Sequence, residues 1–373
     1  TNGQVMTTDG SGAVTFADAG GGADLYAANE SSPSAQPSAT GTNAIAIGDG
    51  AVSSGQNSLA FGLNTDSTYS STVAIGTGAQ ATFYNAIAIG TQANASGNIG
   101  LALGYQATAS GAWSTAIGLN SGGWASQATG LAATAIGGSR ASGTDSFAAQ
   151  ISNNTSSYGA SGSNSVAIGY NAKSSAQHAF SMGRFPHASG SYGLALGSTA
   201  QAIGQSSTAI NGSSTSAGWS LGFGGDSRTL SGHDKSIVLG FGAQSRAKGS
   251  VHFGGHNPFD GNGLNQHGLF ILGRATTDAT ATALSTNTSA ATSNNQMLLP
   301  NNSAYTFSGT VVAREKASEG TDVGAWEVKG IIRREANAGT TVLVNSVINE
   351  FNAPTGWAVA LTADTTNGCL KVE

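Results

Sequence analysis

A spacing of 14 residues constrains this chain more than anything else in it. The strings AIAIG, SLAFG, TVAIG, AIAIG, GLALG and STAIG end at Gly48, Gly62, Gly76, Gly90, Gly104 and Gly118, each one period from the last. The series resumes at Gly137, Gly169, Gly183, Gly197, Gly224, Gly240, Gly254 and Gly273, and Gln150 and Asn211 take the Gly position in two more copies. Three late steps are 19 residues, an ordinary unit plus an insertion of five, near Trp124, Tyr158 and Pro258. Self-similarity at a fixed short period is the mark of a stacked repeat, in which each unit buries its apolar face against its neighbours.

Within a copy the pattern is short and β-like. Ile45 and Ile47 flank Ala46, and Val73 and Ile75 flank Ala74, so branched residues point to one face and Ala to the other. Gly then ends the strand, because a sharp corner needs backbone freedom. A second strand of small residues follows (AVSSG, ANASG, ATASG), closed by Gly55, Gly97 and Gly111 seven positions on. One copy is two strands and two corners, and stacked copies form a parallel solenoid that advances about 4.8 Å per turn. A coil this thin has little interior. The Ala column therefore predicts a second face that admits another chain, and self-association about an axis parallel to the coil, most simply as a homotrimer.

Composition narrows the function classes. Only 9% of the 373 residues are charged and 55 are Gly, without the every-third-residue period of collagen. One Cys excludes a disulfide framework within the chain and a multi-Cys zinc site. The net charge of −5 supplies no basic field for nucleic acid. No apolar run approaches the length of a membrane-spanning helix, so no membrane insertion is expected.

The segments NAIAIGDGAVSSGQNS and NAIAIGTQANASGNI closely resemble the 14-residue head repeat of trimeric autotransporter adhesins, over about residues 43–273. That resemblance implies a left-handed parallel β-roll, three chains side by side, that binds host surfaces. The opening TNGQVMTTDG resembles segments of bacteriophage tail fibres. LLPNNSAYTFSGTVVARE, WEVKGIIRREANAGTT and ADTTNG resemble a β-domain found at the ends of phage fibre proteins. In that family the sheet continues past ADTTNG, which implies, with Thr1 as first residue, a fragment or processed product.

The flanks organise accordingly. Residues 1–20 read as a hairpin, with Val5–Thr8 and Ala13–Phe16 around Asp9-Gly10-Ser11-Gly12. Residues 21–42 read as a linker, 43–274 as the repeat rod and 275–303 as a Thr/Ser/Asn-rich connector. Residues 304–373 carry 14 charged groups, against 12 in the 210 residues from 41 to 250, and alternate like antiparallel strands. They predict a small β-sandwich. Cys369 there reads as a partly buried thiol.

Candidate chemistry is sparse. Asp49, Asp66, Asp145, Asp226 and Asp234 are the only acids between residues 41 and 250. Asp226 and Asp234 are the one conceivable glycosidase pair, but adjacent Arg228 and Lys235 favour solvated turn charges. No nucleophile-elbow, zincin or phosphate-loop motif occurs, no cofactor is indicated, and the chain reads as non-enzymatic. His252, His256 and His267, near Asp260, form the densest imidazole group and would ligate a metal if a threefold axis gathered them; loop or interface histidines are the plainer reading.

The corner before each long strand is more informative. Its column runs Asn43, Asn57, Ser71, Asn85, Ile99, Trp113, Ala132, Asp145, Asn164, His178, Tyr192, Ser206, Trp219, Lys235 and Gly249. Trp113, Tyr192 and Trp219, with Trp124 on the first insertion, are the candidate contacts to a host glycan or protein receptor; the competing reading packs these rings between chains. The sequence thus predicts a tail fibre or appendage of a phage virion that attaches to a host surface and joins other virion tail proteins. The rivals are a bacterial cell-surface adhesin of the autotransporter type and a polysaccharide-degrading tailspike.

Overall fold

The 14-residue spacing is one circuit of a coil. The computed structural model describes residues 4–8, 14–18, 36–118, 125–149, 157–255, 263–278, 280–316 and 320–373. They fall into two compact units, Thr1–Gly137 and Gly138–Glu373, both of them all-β. The one helical element among the described residues is a single 3-10 turn at Ala338–Thr340, and no described helix is long and apolar enough to cross a membrane.

In the first unit, Gln4–Thr8 pairs antiparallel with Val14–Asp18, as the hairpin pattern predicts. Its turn lies outside the described residues. The coil follows. Three-residue strands from Ile45–Ile47 to Thr134–Ile136 pair in parallel and in register, so that Ala46, Ala60, Ala74, Ala88, Ala102, Ala116 and Ala135 form one column. Two-residue strands from Ser38–Ala39 to Gln127–Ala128 make the second sheet. Thr108 pairs with Gln127 across the first insertion, so the extra residues leave the register intact. All three insertion sites fall outside the described residues in whole or in large part.

The second unit repeats the plan. Long strands run from Phe147–Ala149 to Val251–Gly254 and short ones from Arg140–Ala141 to Arg228–Thr229. The copy ending at Gly273 departs from it. Gln266–Leu269 runs antiparallel to Val251–Gly254, and Gly273 bridges antiparallel to Ser285, so the coil stops one copy earlier than the sequence period implies. Beyond it, Ser303–Arg314, Val323–Arg334 and Val342–Asn352 form one antiparallel sheet. Met297–Leu298, Leu361–Asp364 and Cys369–Val372 form another. The two close over Leu299, Val328, Ile332, Leu361, Leu370 and Val372. The first of these small strands comes from the stretch read as a connector, because Met297 alternates with Leu299 and supplies the core with apolar side chains.

Each circuit has two tight turns. In the first, the N–H at the strand start bonds the carbonyl three residues back, as in Ala86 to Phe83 and Ser114 to Gly111. The residue before it, at the second central position, adopts left-handed φ, from 50° at Trp219 to 66° at Gly249, through the entire corner column identified above. That sign pattern demands Gly or Asn where side chains are free to vary. The second turn repeats the arrangement two residues after each strand-ending Gly, at Gly50, Asn64, Gly78, Gln92, Gln106, Asn171 and Phe185. Gly90 itself sits at φ +131°, and a Cβ there would lie 2.5 Å from the Gly104 carbonyl oxygen of the next turn.

Burial corrects one sequence expectation. The Ala column is not a surface for another chain: Ala60, Ala74, Ala88, Ala102 and Ala116 are fully buried inside their own coil. They meet Ala81, Ala95 and Ala109 of the short strands, and hydroxyls fill the remaining space in bonded pairs such as Ser53–Ser58 at 2.6 Å and Ser67–Thr72 at 2.8 Å. A circuit of 14 residues closes so tightly that most of its inward positions take small side chains. The branched and aromatic residues are displaced to the outer face, where Ile45, Phe61, Leu103, Met182, Phe223 and Phe253 are exposed.

Candidate functional site

The corner column places its rings outward because left-handed φ turns the Cα–Cβ bond away from the coil. Trp113 (φ 56°), Tyr192 (φ 58°) and Trp219 (φ 50°) are 56%, 57% and 57% exposed. Each is pinned by its own backbone: the N–H donates to the carbonyl of the preceding turn, Trp113 to Asn98 at 2.7 Å, Tyr192 to Gln177 at 3.0 Å and Trp219 to Gln205 at 2.8 Å. Left-handed geometry costs a non-Gly residue about 1–2 kcal/mol, so bulky residues here are held against local preference.

Their ring faces differ. Tyr192 stacks on His178, one turn away, with centroids 4.8 Å apart and planes 17° from parallel, so one face is occupied. Trp113 lies between Ile99 and Ala132 in the column and Trp219 between Ser206 and Lys235. Among the described residues neither indole pairs with another ring. Trp124 lies outside the described residues. Trp113 belongs to the first unit, and in the second Tyr192 and Trp219 stand at corners of separate turns.

A further aromatic group went unrecognised in the sequence. Tyr69 and Phe83 occupy corner positions where most copies carry Gly, and with Tyr84 they form a three-ring cluster: Tyr69 stacks on Phe83 at 5.3 Å and meets Tyr84 edge-on at 5.0 Å. The signal was present as the replacement of Gly by two bulky residues one period apart.

The histidines separate. His252 takes the inward position that Ala holds in earlier turns and is 1% exposed. Gln266, whose Oε1 accepts the Gln244 N–H (2.8 Å), donates its amide N–H towards His252 Nδ1 (3.1 Å), while His252 Nε2 faces the Arg246 N–H at 3.2 Å and Ser250 Oγ at 2.9 Å. Burial, with Arg246, His233 and His267 nearby, pushes this imidazole down to about 3. His267 pairs with Phe253, whose neighbour His252 points to the opposite face of the strand, so the two imidazoles lie on opposite sides of the sheet. His256 and Asp260 are outside the described residues. No group of three metal-ligating side chains occurs among the described residues.

The acids are individually engaged. Asp234 Oδ1 accepts the Gly218 N–H at 3.0 Å and Oδ2 lies 3.7 Å from Lys248 Nζ; Asp226 is a corner residue at φ 53°. In the C-terminal sheets Trp326 is core, its ring packed on Gly324, and Cys369 is buried, with its thiol pushed up to about 12 by burial.

The family described as YadA head domain repeat (2 copies) matches residues 39–65, 70–93, 84–98, 95–121, 160–185 and 188–210. No curated protein matches the chain. The matched segments are those in which the 14-residue period is least interrupted, and their Gly corners and inward Ala columns are the ones described above. These segments thus match the YadA head repeat of trimeric autotransporter adhesin heads, and they are wound as a parallel β-solenoid.

Proposed function

We propose that the chain is a length of a trimeric, non-enzymatic surface-attachment fibre, a tail fibre or appendage of a phage virion. The observation that carries attachment is the corner column, where exposed Trp113 and Trp219 are held at a conformational cost that Asn or Gly would avoid. An indole face beside Ser and Asn groups suits a sugar ring or a protein side chain, and three chains would sum many weak contacts. Assembly is supported by the apolar outer face of the long strands, where Phe61 and Phe223 are each 50% exposed in the single chain. Virion origin rests on the resemblance of the opening segment and the terminal β-domain to phage fibres. A second reading, a surface adhesin of the bacterium itself, is favoured by the head-repeat match.

The test is attachment of the labelled protein to candidate host cells, with Trp113→Ala and Trp219→Ala combined. Loss of at least about tenfold in affinity, as expected for paired aromatic hot spots, with the assembly mass unchanged, supports the reading. Unchanged attachment by an intact assembly refutes it.

A further inference from the structure

The outer face of the short-strand sheet holds a pocket of about 320 Å³ in the second unit, lined by Tyr158, Asn171, Lys173, Phe185, His187 and Gln201 among others. The fold brings these residues together by register. Lys173 pairs with His187 and His187 with Gln201 across successive turns, so three polar side chains rise from one column about 4.8 Å apart. Asn171 and Phe185 occupy the left-handed second corners of adjacent turns, at φ 53° and 58°, and form one wall.

Two buried polar atoms there have no partner. Asn171 is 8% exposed and its Oδ1 accepts no hydrogen bond; the Nε2 of His187 is buried and equally unpaired. A buried polar group left unpaired costs about 1–3 kcal/mol, and in a native fold such a group calls for an explanation. Both residues line the same cavity, so a ligand seated in it would satisfy both. Burial and Lys173 hold the His187 imidazole below its usual range, which keeps the ring neutral, with one nitrogen donating and one accepting.

The remaining lining adds charge and apolar surface. Lys173 makes no ion pair among the described residues. Phe185 is braced by the edge of Tyr170 at 5.2 Å and by the Arg184 guanidinium 4.7 Å from its centroid, so the ring is a fixed wall. A free ammonium, an amide acceptor, an imidazole and an amide beside a phenyl ring form an inventory for one ligand chemistry. It has a carboxylate, hydroxyls that both donate and accept, and an apolar C–H face. The volume lies at the low end of ligand pockets, about 300–1,000 Å³, and suits one ring.

We propose that this pocket binds a carboxylated sugar residue of the hexuronic type, its carboxylate at Lys173, its hydroxyls at Asn171, His187 and Gln201, and its ring on Phe185. This rests on the surface-attachment reading for its biological role, but its binding is measured directly and needs no cell. Sodium glucuronate would be titrated into the assembled protein by calorimetry, with glucose and sodium acetate as parallel arms. Saturable glucuronate binding in the millimolar range, at least about tenfold weaker for glucose and acetate, and lost by at least about tenfold in Lys173→Gln and Asn171→Gly, is the expected result. Glycine tolerates the left-handed corner at position 171, so that variant keeps the fold. No saturable glucuronate signal overturns the proposal, as does binding that survives both substitutions. Equal binding of acetate removes the sugar, and equal binding of glucose removes the carboxylate.

Discussion

Replacing Gly90 with Ala tests the stacking geometry that everything else depends on. Gly90 lies at φ +131°, a region L-residues enter at a cost of about 1–3 kcal/mol. Its new Cβ would stand 2.5 Å from the Gly104 carbonyl oxygen and 2.7 Å from its carbon, backbone atoms that cannot swing aside. Forcing the turns apart adds about 1–3 kcal/mol, the usual range for an overpacked interior. The sum is about 2–6 kcal/mol, placed between two neighbouring turns. Stability in a stacked repeat is a chain of nearest-neighbour terms, so the loss should weaken one junction and broaden the unfolding transition. Asn85→Gly is the control. It lies five residues earlier at φ 54°, where Gly relieves backbone strain but loosens the unfolded chain, and it should change stability by less than about 1 kcal/mol. Thermal and urea melts followed by circular dichroism, with amide exchange across residues 80–110, read both variants. A Gly90→Ala protein that melts with the parent would refute the close-stacked turn.

Two further outcomes follow from burial. Phe223→Ser removes a half-exposed ring from the outer face, worth about 2.5 kcal/mol per copy if a partner covers the remaining ~100 Å²; sedimentation should show dissociation at higher concentration, and an unchanged association constant would mean that this face is not an interface. His252 binds a proton far less readily folded, at about 3, than unfolded, near 6.5. The unfolded state therefore takes up the proton first as pH falls, so the stability tied to His252 is complete above about pH 6.5 and declines by about 1.4 kcal/mol per unit towards pH 3. His252→Gln should flatten that slope in urea titrations run at about pH 6, 5 and 4; an identical slope would show that His252 does not govern it.

The coil was legible because its evidence is periodic. The Gly series marks every long strand but the last, and the same period marks the corner column position by position, although its left-handed φ has no sequence signature where Trp, Tyr or Ile stands. Alternation at Ile45-Ala46-Ile47 gave the two faces correctly but not which one was inside. Intuition assigns the larger residues inward, whereas a 14-residue circuit is filled mainly by Ala, Ser and Thr, with Val238 and His252 the larger residues of its last turns. His252 and His267 looked like one cluster because sequence distance hides strand parity, and the antiparallel closure by Gln266–Leu269 puts them on opposite faces. The Lys173–His187–Gln201 column carries no local motif. It is visible only once 14-residue neighbours are stacked, and the unpaired atoms of Asn171 and His187 depend on side-chain packing that no pattern encodes.

The account turns on the exposed apolar outer face of the long strands, which copies of the chain are proposed to cover. Its most direct test is the mass of the native protein in solution, by light scattering or native mass spectrometry. One chain is 36.7 kDa, and the account predicts a particle of about 110 kDa that persists on dilution to low micromolar concentration. A stable monomer of 36.7 kDa that binds cells would contradict it.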